Sequence, residues 1–272
     1  MDRVDVEGLQ IAFERAGSGP AVVLVHGFVG DGPSTWGAQI EALSEDFTVV
    51  AWDGPGAGAS SDPPEWFRAA DYADCLVAFL RAIGISQAHV VGLSFGGTVA
   101  LSLFERHPEV PHSLGLLSAY AGWGGSLPCD EVDTRLRRCL ELSELPAEEF
   151  ADELVPSMFS ANADGSVVAE FAASVRRRHP TGFRIMALAS AAADLRHVLP
   201  EVSVATLLVY GDLDVRAPLD VAERIRSAVP AARMVVLPGV GHACSVVAPE
   251  AVNRELGDFL RSVEAGHAGA AG

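Results

Sequence analysis

Residues 89–97 of the chain read His-Val-Val-Gly-Leu-Ser-Phe-Gly-Gly, and this stretch decides the fold class. His89–Leu93 is apolar and β-branched like a buried strand, whereas Thr98–Arg106 has a helical pattern. A G-x-S-x-G motif therefore lies directly between a predicted strand and a predicted helix. Serine at so tight a turn adopts a strained backbone, and Gly92 and Gly96 remove side chains that would clash there. The context predicts a nucleophile elbow at Ser94; the alternative is a glycine-rich turn that merely tolerates serine.

Strand-like and helical segments alternate over most of the remaining sequence. This alternation predicts an α/β fold with a mainly parallel central sheet of about eight strands flanked by helices. Val4–Arg15 is expected to form an antiparallel hairpin that precedes the parallel strands. The other expected strands are Ala21–His26, Thr48–Trp52, His89–Leu93, Ser113–Leu117, Thr206–Tyr210 and Arg233–Leu237. The expected helices are Trp36–Leu43, Ala69–Ile83, Gly96–Arg106, Leu219–Ala228 and Pro249–Val263.

The alternation is interrupted between residues 122 and 199, where no strand pattern is found. Four amphipathic helices are expected there, at Cys129–Leu142, Ala147–Phe159, Ser166–Arg178 and Gly182–Ala192. An insertion of this length between two core strands predicts a helical cap over the sheet. The domain prediction is therefore a core of residues 1–121 and 200–264, a cap of residues 122–199, and a disordered Gly/Ala-rich tail of residues 265–272.

Two further residues complete a candidate catalytic set with Ser94. Asp214 follows the predicted strand Thr206–Tyr210, so that it lies at the same edge of the sheet as the serine. Asp212 competes for this role, but it lies within the turn itself and is interpreted as a turn or capping residue. His242 lies on a glycine-flanked loop between the last strand and the last helix. The order serine, acid, histidine is the one that this kind of elbow requires.

The predicted strand Ala21–His26 indicates a pair of oxyanion donors. It ends in His26-Gly27, and the backbone amides of Phe28 and Phe95 are the candidate donors for a tetrahedral oxyanion. His26 is interpreted as a residue that orients loops rather than as a base. The remaining histidines considered, His107, His112, His179, His197 and His267, are expected to be structural or solvated.

Taken together, these motifs resemble the α/β-hydrolase superfamily, in its compact esterase-like branch with a helical cap. The resemblance covers nearly the whole chain and includes His26-Gly27, the loop Asp53–Ser60, the elbow Gly92–Gly96, the loop Gly211–Asp214 and Gly241-His242. It implies a cofactor-free serine hydrolase, with cap helices like those of relatives that act on small esters and lactones. Serine at the elbow disfavours dehalogenases and epoxide hydrolases, whose nucleophile at that place is aspartate.

Several activities stay compatible with this resemblance. Hydrolysis of a small carboxylic ester or lactone through an acyl-enzyme on Ser94 is preferred, because it needs only the triad and the oxyanion hole. Carbon–carbon bond hydrolysis of a diketone-like substrate is the second reading, since Gly32–Trp36 is similar to a glycine-rich loop of such enzymes. Thioester hydrolysis, peroxyacid formation and a non-catalytic small-ligand receptor are also open.

Composition removes other classes. The formal net charge is −17, which disfavours nucleic acid as a partner. All 19 basic residues are arginine, so that Schiff-base chemistry on lysine and a P-loop lysine are excluded. The loop Gly54–Ser60 lacks the third glycine of a dinucleotide fingerprint, and the four cysteines show no zinc-finger spacing. No cofactor or metal is therefore expected.

The substrate and the cellular compartment are less constrained. The substrate pocket is predicted to involve Trp123, Met158, Phe159 and Met186 of the cap, with Phe171 and Phe183 as further candidates, although such spacing is also typical of packing residues. A small acyl compound is the expected partner, with no nucleic acid and no membrane. Without a recognisable leader or a long apolar segment, a cytoplasmic location is expected.

Overall fold

One twisted sheet organises the molecule, for which the computed structural model describes residues 1–230 and 232–270. Within these residues the chain forms eight strands, which are β1 Asp2–Val6, β2 Leu9–Ala16, β3 Ala21–Val25, β4 Thr48–Trp52, β5 Ala88–Leu93, β6 Pro111–Leu117, β7 Thr206–Gly211 and β8 Arg233–Leu237. Their order across the sheet is β1-β2-β4-β3-β5-β6-β7-β8. β1 and β2 are antiparallel, as are β2 and β4, and the other neighbouring pairs are parallel. The predicted α/β fold with a mainly parallel sheet is thereby confirmed.

Helices cover both faces of this sheet. Because successive side chains of a strand point to opposite faces, each strand contributes to two separate apolar clusters. Val90 of β5, for example, belongs to one cluster, whereas Val91 belongs to the other. In the described residues the helices of the core are α1 Gly32–Leu43, α2 Ala69–Ala82, α3 Phe95–Arg106, α8 Leu219–Ala228, α9 Cys244–Val247 and α10 Pro249–Ala270, and those between β6 and β7 are α4 Cys129–Ser143, α5 Ala147–Leu154, α6 Gly165–Arg176 and α7 Pro180–Ala192.

The inserted helices α4–α7 differ from the sequence prediction at one point. A helix was expected over Ala147–Phe159, but α5 ends at Leu154 and a 3-10 turn, Val155–Met158, follows it. Pro156 explains the change, because proline has no amide hydrogen to continue the α-helical hydrogen bonds. The chain then turns away at Phe159, which has an extended backbone.

The C-terminal segment also differs from the prediction. Residues 265–272 were expected to be disordered, but α10 continues through Ala265 as far as Ala270. Alanine favours helix, and His267 adds local contacts: its Nδ1 donates to the carbonyl of Val263 at 2.9 Å, and its ring packs on that of His112. The prediction for residues 271–272 lies outside the described residues.

Among the described helices, none combines the length and the apolar character that crossing a bilayer requires.

Candidate active site

Ser94 lies at the sharp turn from β5 into α3. Its backbone has φ 53° and ψ −112°, a conformation that a non-glycine residue adopts only under strain. The flanking glycines make this turn possible. A Cβ on Gly92 would lie 2.3 Å from the carbonyl carbon of Gly96, and one on Gly96 would lie 2.1 Å from the carbonyl oxygen of Val25. Glycine is therefore required at both positions for the strand and the helix to approach this closely.

A continuous line of hydrogen bonds joins Ser94, His242 and Asp214. His242 Nε2 lies 2.9 Å from Ser94 Oγ, and His242 Nδ1 lies 2.9 and 3.0 Å from the two carboxylate oxygens of Asp214. All three residues are buried, with at most 4% of their surface exposed. The structure thus brings together the three residues selected from the sequence, although they come from three separate loops.

The Asp214 carboxylate is held by its own loop as well as by the histidine. Its Oδ1 accepts hydrogen bonds from the backbone amides of Arg216 and Ala217, both at 2.9 Å. Burial raises the pKa of this carboxyl, but the charge and hydrogen bond of His242, with the Ala217 amide, outweigh burial and hold the pKa below its ordinary value. Asp214 is therefore ionised at neutral pH and keeps the proton of the imidazole on Nδ1.

Asp212, the competing acid, faces a different group. Its side chain is exposed, and its Oδ1 accepts a hydrogen bond from the backbone amide of Gly239 at 2.6 Å. It therefore links the acid loop to the turn that precedes His242, as expected for a turn residue. Asp214, not Asp212, contacts the histidine.

The two amides expected to bind an oxyanion are buried next to Ser94. Phe28 and Phe95 are each 4% exposed, and Phe28 shares the wall of one cavity with Ser94. Within the described part of the chain, neither backbone amide donates a hydrogen bond to a protein acceptor. Buried amides are normally paired, so these two are candidates for binding an oxygen of a ligand. Phe95 also begins α3, whose N-terminus favours negative charge.

His26 and Asp53 stabilise the loops behind this site. His26 Nε2 accepts a hydrogen bond from the backbone amide of Gly54 at 2.9 Å, and His26 Nδ1 contacts the carbonyl oxygen of Gly27. The fully buried Asp53 carboxylate accepts the amides of Gly32 at 2.7 Å and of Ala59 at 2.9 Å. Burial raises the pKa of Asp53 despite these hydrogen bonds. His26 and Asp53 therefore hold loops in position. The Gly32 amide, which belongs to the segment that suggested carbon–carbon bond hydrolysis, donates its hydrogen bond to Asp53.

One short stretch of the cap, residues 157–160, contacts both the loop of Asp214 and the loop of His242. Ser157 Oγ accepts a hydrogen bond from the guanidinium of Arg216 at 2.9 Å, next to the acid. The carbonyl of Met158 accepts the Ala243 amide at 3.0 Å, and Ser160 Oγ donates to the Gly239 carbonyl at 2.9 Å, on either side of the histidine. The positions of Asp214 and His242 therefore depend on the cap. Sequence patterns gave no indication of this dependence, because the contacts join residues that are 59 to 85 positions apart in the chain.

The cavity at Ser94 is small. Its volume is about 10 Å³, far below the roughly 300–1,000 Å³ typical of small-molecule sites. Met158 and Phe171 are the cap side chains in its wall. A larger cavity of about 240 Å³ lies beyond Phe28 and Val29, under α6 and α7. The side chains around Ser94 therefore leave little free space beside it.

The predicted pocket residues differ in whether they line the cavity at Ser94. Met158 lines the cavity, whereas Trp123, Phe159 and Met186 are absent from its wall. Trp123 packs edge-on against the Phe28 ring, with centroids 6.0 Å apart, and Phe159 packs against Phe171 at 5.3 Å. Met186 is 1% exposed and belongs to the apolar core. Trp123, Phe159 and Met186 therefore do not line this cavity, whereas Phe171, one of the two further candidates, does.

Cys244, two residues after His242, carries a buried free thiol. It is fully buried, its thiol lies 3.9 Å from Ser118 Oγ, and burial raises its pKa to about 12. A thiol with so high a pKa is almost entirely protonated near neutral pH and hence unreactive.

Comparison with known proteins agrees with this geometry. The family model described as alpha/beta hydrolase fold matches residues 20–249. The chain belongs to the α/β-hydrolase fold family.

Individual relatives give a range of activities. A protein named "Putative carbamate hydrolase RutD" from Caulobacter segnis is 29% identical over 262 residues, which cover 89% of this chain and 92% of that protein. An esterase from Thermogutta terrifontis has a similar structure, with a TM-score of 0.89 at 27% identity, covering 97% of this chain and 99% of the esterase. Est816, described as an N-acyl homoserine lactone degrading enzyme, has a TM-score of 0.82 at 25% identity, covering 95% of this chain and all of that one.

Proposed function

We propose that this member of the family is a serine hydrolase that cleaves a small carboxylic ester or lactone through an acyl-enzyme on Ser94. The observation that carries the proposal is the buried line from Ser94 Oγ through His242 to Asp214, in which each step spans 2.9–3.0 Å. Such an arrangement lets a neutral imidazole remove the serine proton as the hydroxyl attacks.

The first half of the reaction forms the acyl-enzyme. Ser94 Oγ attacks the carbonyl carbon of the substrate while His242 Nε2 takes its proton. The carboxylate of Asp214 stabilises the imidazolium that results, without itself being protonated. The carbonyl π electrons move onto oxygen, and the amides of Phe28 and Phe95 donate hydrogen bonds to this oxyanion. The tetrahedral intermediate then collapses, and the leaving alcohol takes the proton from His242 Nε2. From a lactone the alcohol stays attached to the acyl group.

The second half returns the enzyme to its starting state. A water molecule gives a proton to His242 Nε2 and attacks the acyl carbon, and the Ser94–carbonyl bond breaks as Ser94 Oγ recovers that proton. The same two amides serve the second oxyanion. Because the cavity beside Ser94 has a volume of only about 10 Å³, any acyl group needs the surrounding side chains to shift, and a short acyl group needs the smallest shift. Met158 and Phe171 make its surroundings apolar, so that a hydrocarbon acyl chain is favoured over a charged one.

The names of relatives support an acyl substrate without selecting one. They include a carbamate hydrolase, an esterase and an N-acyl homoserine lactone degrading enzyme. All three names describe attack at a carbonyl carbon that bears a leaving group. No observed contact favours the carbon–carbon bond hydrolase, since the segment Gly32–Trp36 that suggested it forms the start of α1 and binds Asp53. We also retain as predictions a small-molecule partner, with neither nucleic acid nor membrane bound, and a cytoplasmic location.

Labelling with a fluorophosphonate probe tests the proposal. Wild-type protein and Ser94→Ala are treated with the probe and analysed by intact mass and peptide mapping. We expect one adduct, on Ser94, and none in the variant. Ester, lactone, carbamate, thioester and diketone panels then identify the substrate class.

A matched control separates loss of the nucleophile from loss of the fold. Ser190→Ala removes another buried serine, whose hydroxyl donates to the Met186 carbonyl one helical turn away, and should keep the adduct. An unlabelled wild-type protein with a cooperative melting transition would refute an activated serine. A small-ligand receptor would then account better for the site.

A further inference from the structure

Three metal-binding side chains meet at the end of the sheet opposite to Ser94. His89 is the second residue of β5, His112 is the second residue of β6, and Glu264 lies on the last helix, α10. His89 is five residues before Ser94 along one extended strand, which places it about 16 Å away. The cluster is therefore separate from the site of the proposed function, and an inference about it does not depend on that function.

The two imidazoles face the same carboxylate oxygen. His89 Nε2 and His112 Nε2 each lie 3.0 Å from Glu264 Oε1, and the three ligand atoms lie within 4.8 Å of one another. His112 Nε2 is buried without a hydrogen bond of good geometry to a protein partner in the described structure. One carboxylate oxygen thus serves two ring nitrogens, and one of these is poorly satisfied. A cation placed between the three atoms would satisfy all of them.

The surroundings hold the ligands as a metal site requires. His89 is 1% exposed, and its other nitrogen, Nδ1, lies 2.7 Å from Ser113 Oγ, which fixes the ring as outer partners of metal-bound histidines do.

His267, on the last turns of α10, is a candidate fourth ligand that packs beside the group of three and would have to turn toward it. The His267 ring lies 4.1 Å from the His112 ring, centroid to centroid. His267 Nδ1 donates to the Val263 carbonyl, so that Nε2 is the nitrogen left for a ligand bond. Histidine and carboxylate donors in a set of three or four are typical of Zn²⁺, which binds nitrogen and oxygen at about 2.0–2.2 Å.

We propose that His89, His112 and Glu264 form a structural Zn²⁺ site, with His267 as a fourth ligand, which ties the C-terminal helix to the base of the sheet. The three elements are distant in sequence, which is why no zinc-finger spacing reveals the site. The ion would stabilise the fold and take no part at Ser94.

Titration calorimetry and thermal melting of the full chain test this site. Protein treated with EDTA and dialysed is titrated with ZnCl₂, and its melting temperature is measured with and without the ion. We expect one Zn²⁺ per chain and, at a hundred times the dissociation constant, a rise in melting temperature of about 5 °C. Titration with Co²⁺ should give the visible absorption of a low-symmetry histidine–carboxylate complex.

Matched variants locate the ion. Glu264→Gln and His112→Asn each remove a ligand and should weaken Zn²⁺ binding by about 100-fold or more, whereas Ser113→Ala, which affects only the ring orientation of His89, should weaken it by about 10-fold. His197→Asn is the control, because His197 forms an isolated surface pair with Glu105 at 2.7 Å. It should bind Zn²⁺ like the wild type.

Two results would overturn the proposal. The first is the absence of Zn²⁺ and Co²⁺ binding by wild-type protein that melts cooperatively. The second is binding that Glu264→Gln and His112→Asn leave unchanged, which would place the ion elsewhere, for example at His242. Fluorophosphonate labelling of Ser94 is measured in parallel, and because the two sites are separate, it should be the same with and without Zn²⁺.

Discussion

Replacement of Asp214 by asparagine changes one atom in the buried line of hydrogen bonds. In the wild type, the carboxylate accepts the Nδ1–H of His242 and, through Oδ1, the amides of Arg216 and Ala217. Asparagine can keep its single oxygen on the two loop amides. Its NH₂ group then faces His242 Nδ1, which must become an acceptor. The ring proton therefore moves to Nε2, where it faces Ser94 Oγ and blocks proton transfer from the serine.

The contacts of Asp214 indicate how much activity Asp214→Asn should lose and which kinetic parameter should change. Because the loop amides keep their acceptor, the fold should survive, with a melting temperature within a few degrees of the wild type. Turnover should fall by about 10⁴-fold, the scale for an imidazole held in the wrong tautomer. This corresponds to about 5 kcal/mol of transition-state stabilisation. The loss should appear in kcat, with little change in KM, since Asp214 does not line the cavity.

Asp212→Asn is the matched control for this experiment. It makes the same chemical change two residues away, where the oxygen accepts only the Gly239 amide, and asparagine can accept that hydrogen bond too. We expect a change in kcat below about threefold. The assay is steady-state hydrolysis of p-nitrophenyl acetate and butyrate, with circular dichroism to verify folding. Equal losses in the two variants, or a loss below tenfold in Asp214→Asn, would refute the assigned role of Asp214.

Three more predictions address the elbow, the cavity and the cysteines. Gly96→Ala places a Cβ 2.1 Å from a backbone carbonyl oxygen, and it should lower the free energy of unfolding, measured in urea, by about 3 kcal/mol. Gly37→Ala is the control, because a Cβ at this position of α1 lies in open space, and it should be neutral or stabilising. Equal effects of the two substitutions would contradict this account. Met158→Ala widens the cavity and should raise kcat/KM for hexanoate relative to acetate esters by about tenfold, whereas Met186→Ala should destabilise without altering that ratio. Ellman's reagent should modify one cysteine of the native protein, the exposed Cys129, and all four after denaturation; rapid modification of a buried thiol would show that the core opens.

Local sequence determined most of the secondary structure. The predicted strands Thr48–Trp52 and Arg233–Leu237 and the helix Leu219–Ala228 have the observed bounds. Most errors were a few residues at element ends. They occurred where a longer-range partner or a proline decides the end, as with Pro156 in the cap and His267 in α10.

The elbow was also determined by sequence alone. G-x-S-x-G between a strand and a helix leaves few backbone solutions, because each glycine is required by a contact within a few residues or with the adjacent strand. Chain order then selected Asp214 and His242 from many acids and histidines. The hydrogen bonds at 2.9–3.0 Å agree with that selection, and their catalytic role awaits the experiments above.

Only the tertiary structure decided which cap residues face Ser94 and which metal-binding side chains meet. Trp123, Met158 and Phe171 are all large, apolar and buried, and the sequence treats them alike. Which of them reaches the cavity depends on how the cap helices lie on the core, a matter of packing between distant segments. The same holds for His112 and Glu264, which are 152 positions apart in the numbering and 3.0 Å apart in space. Periodicity and motifs describe neighbours along the chain, whereas these contacts arise from the closure of long loops between elements, which leaves no local pattern.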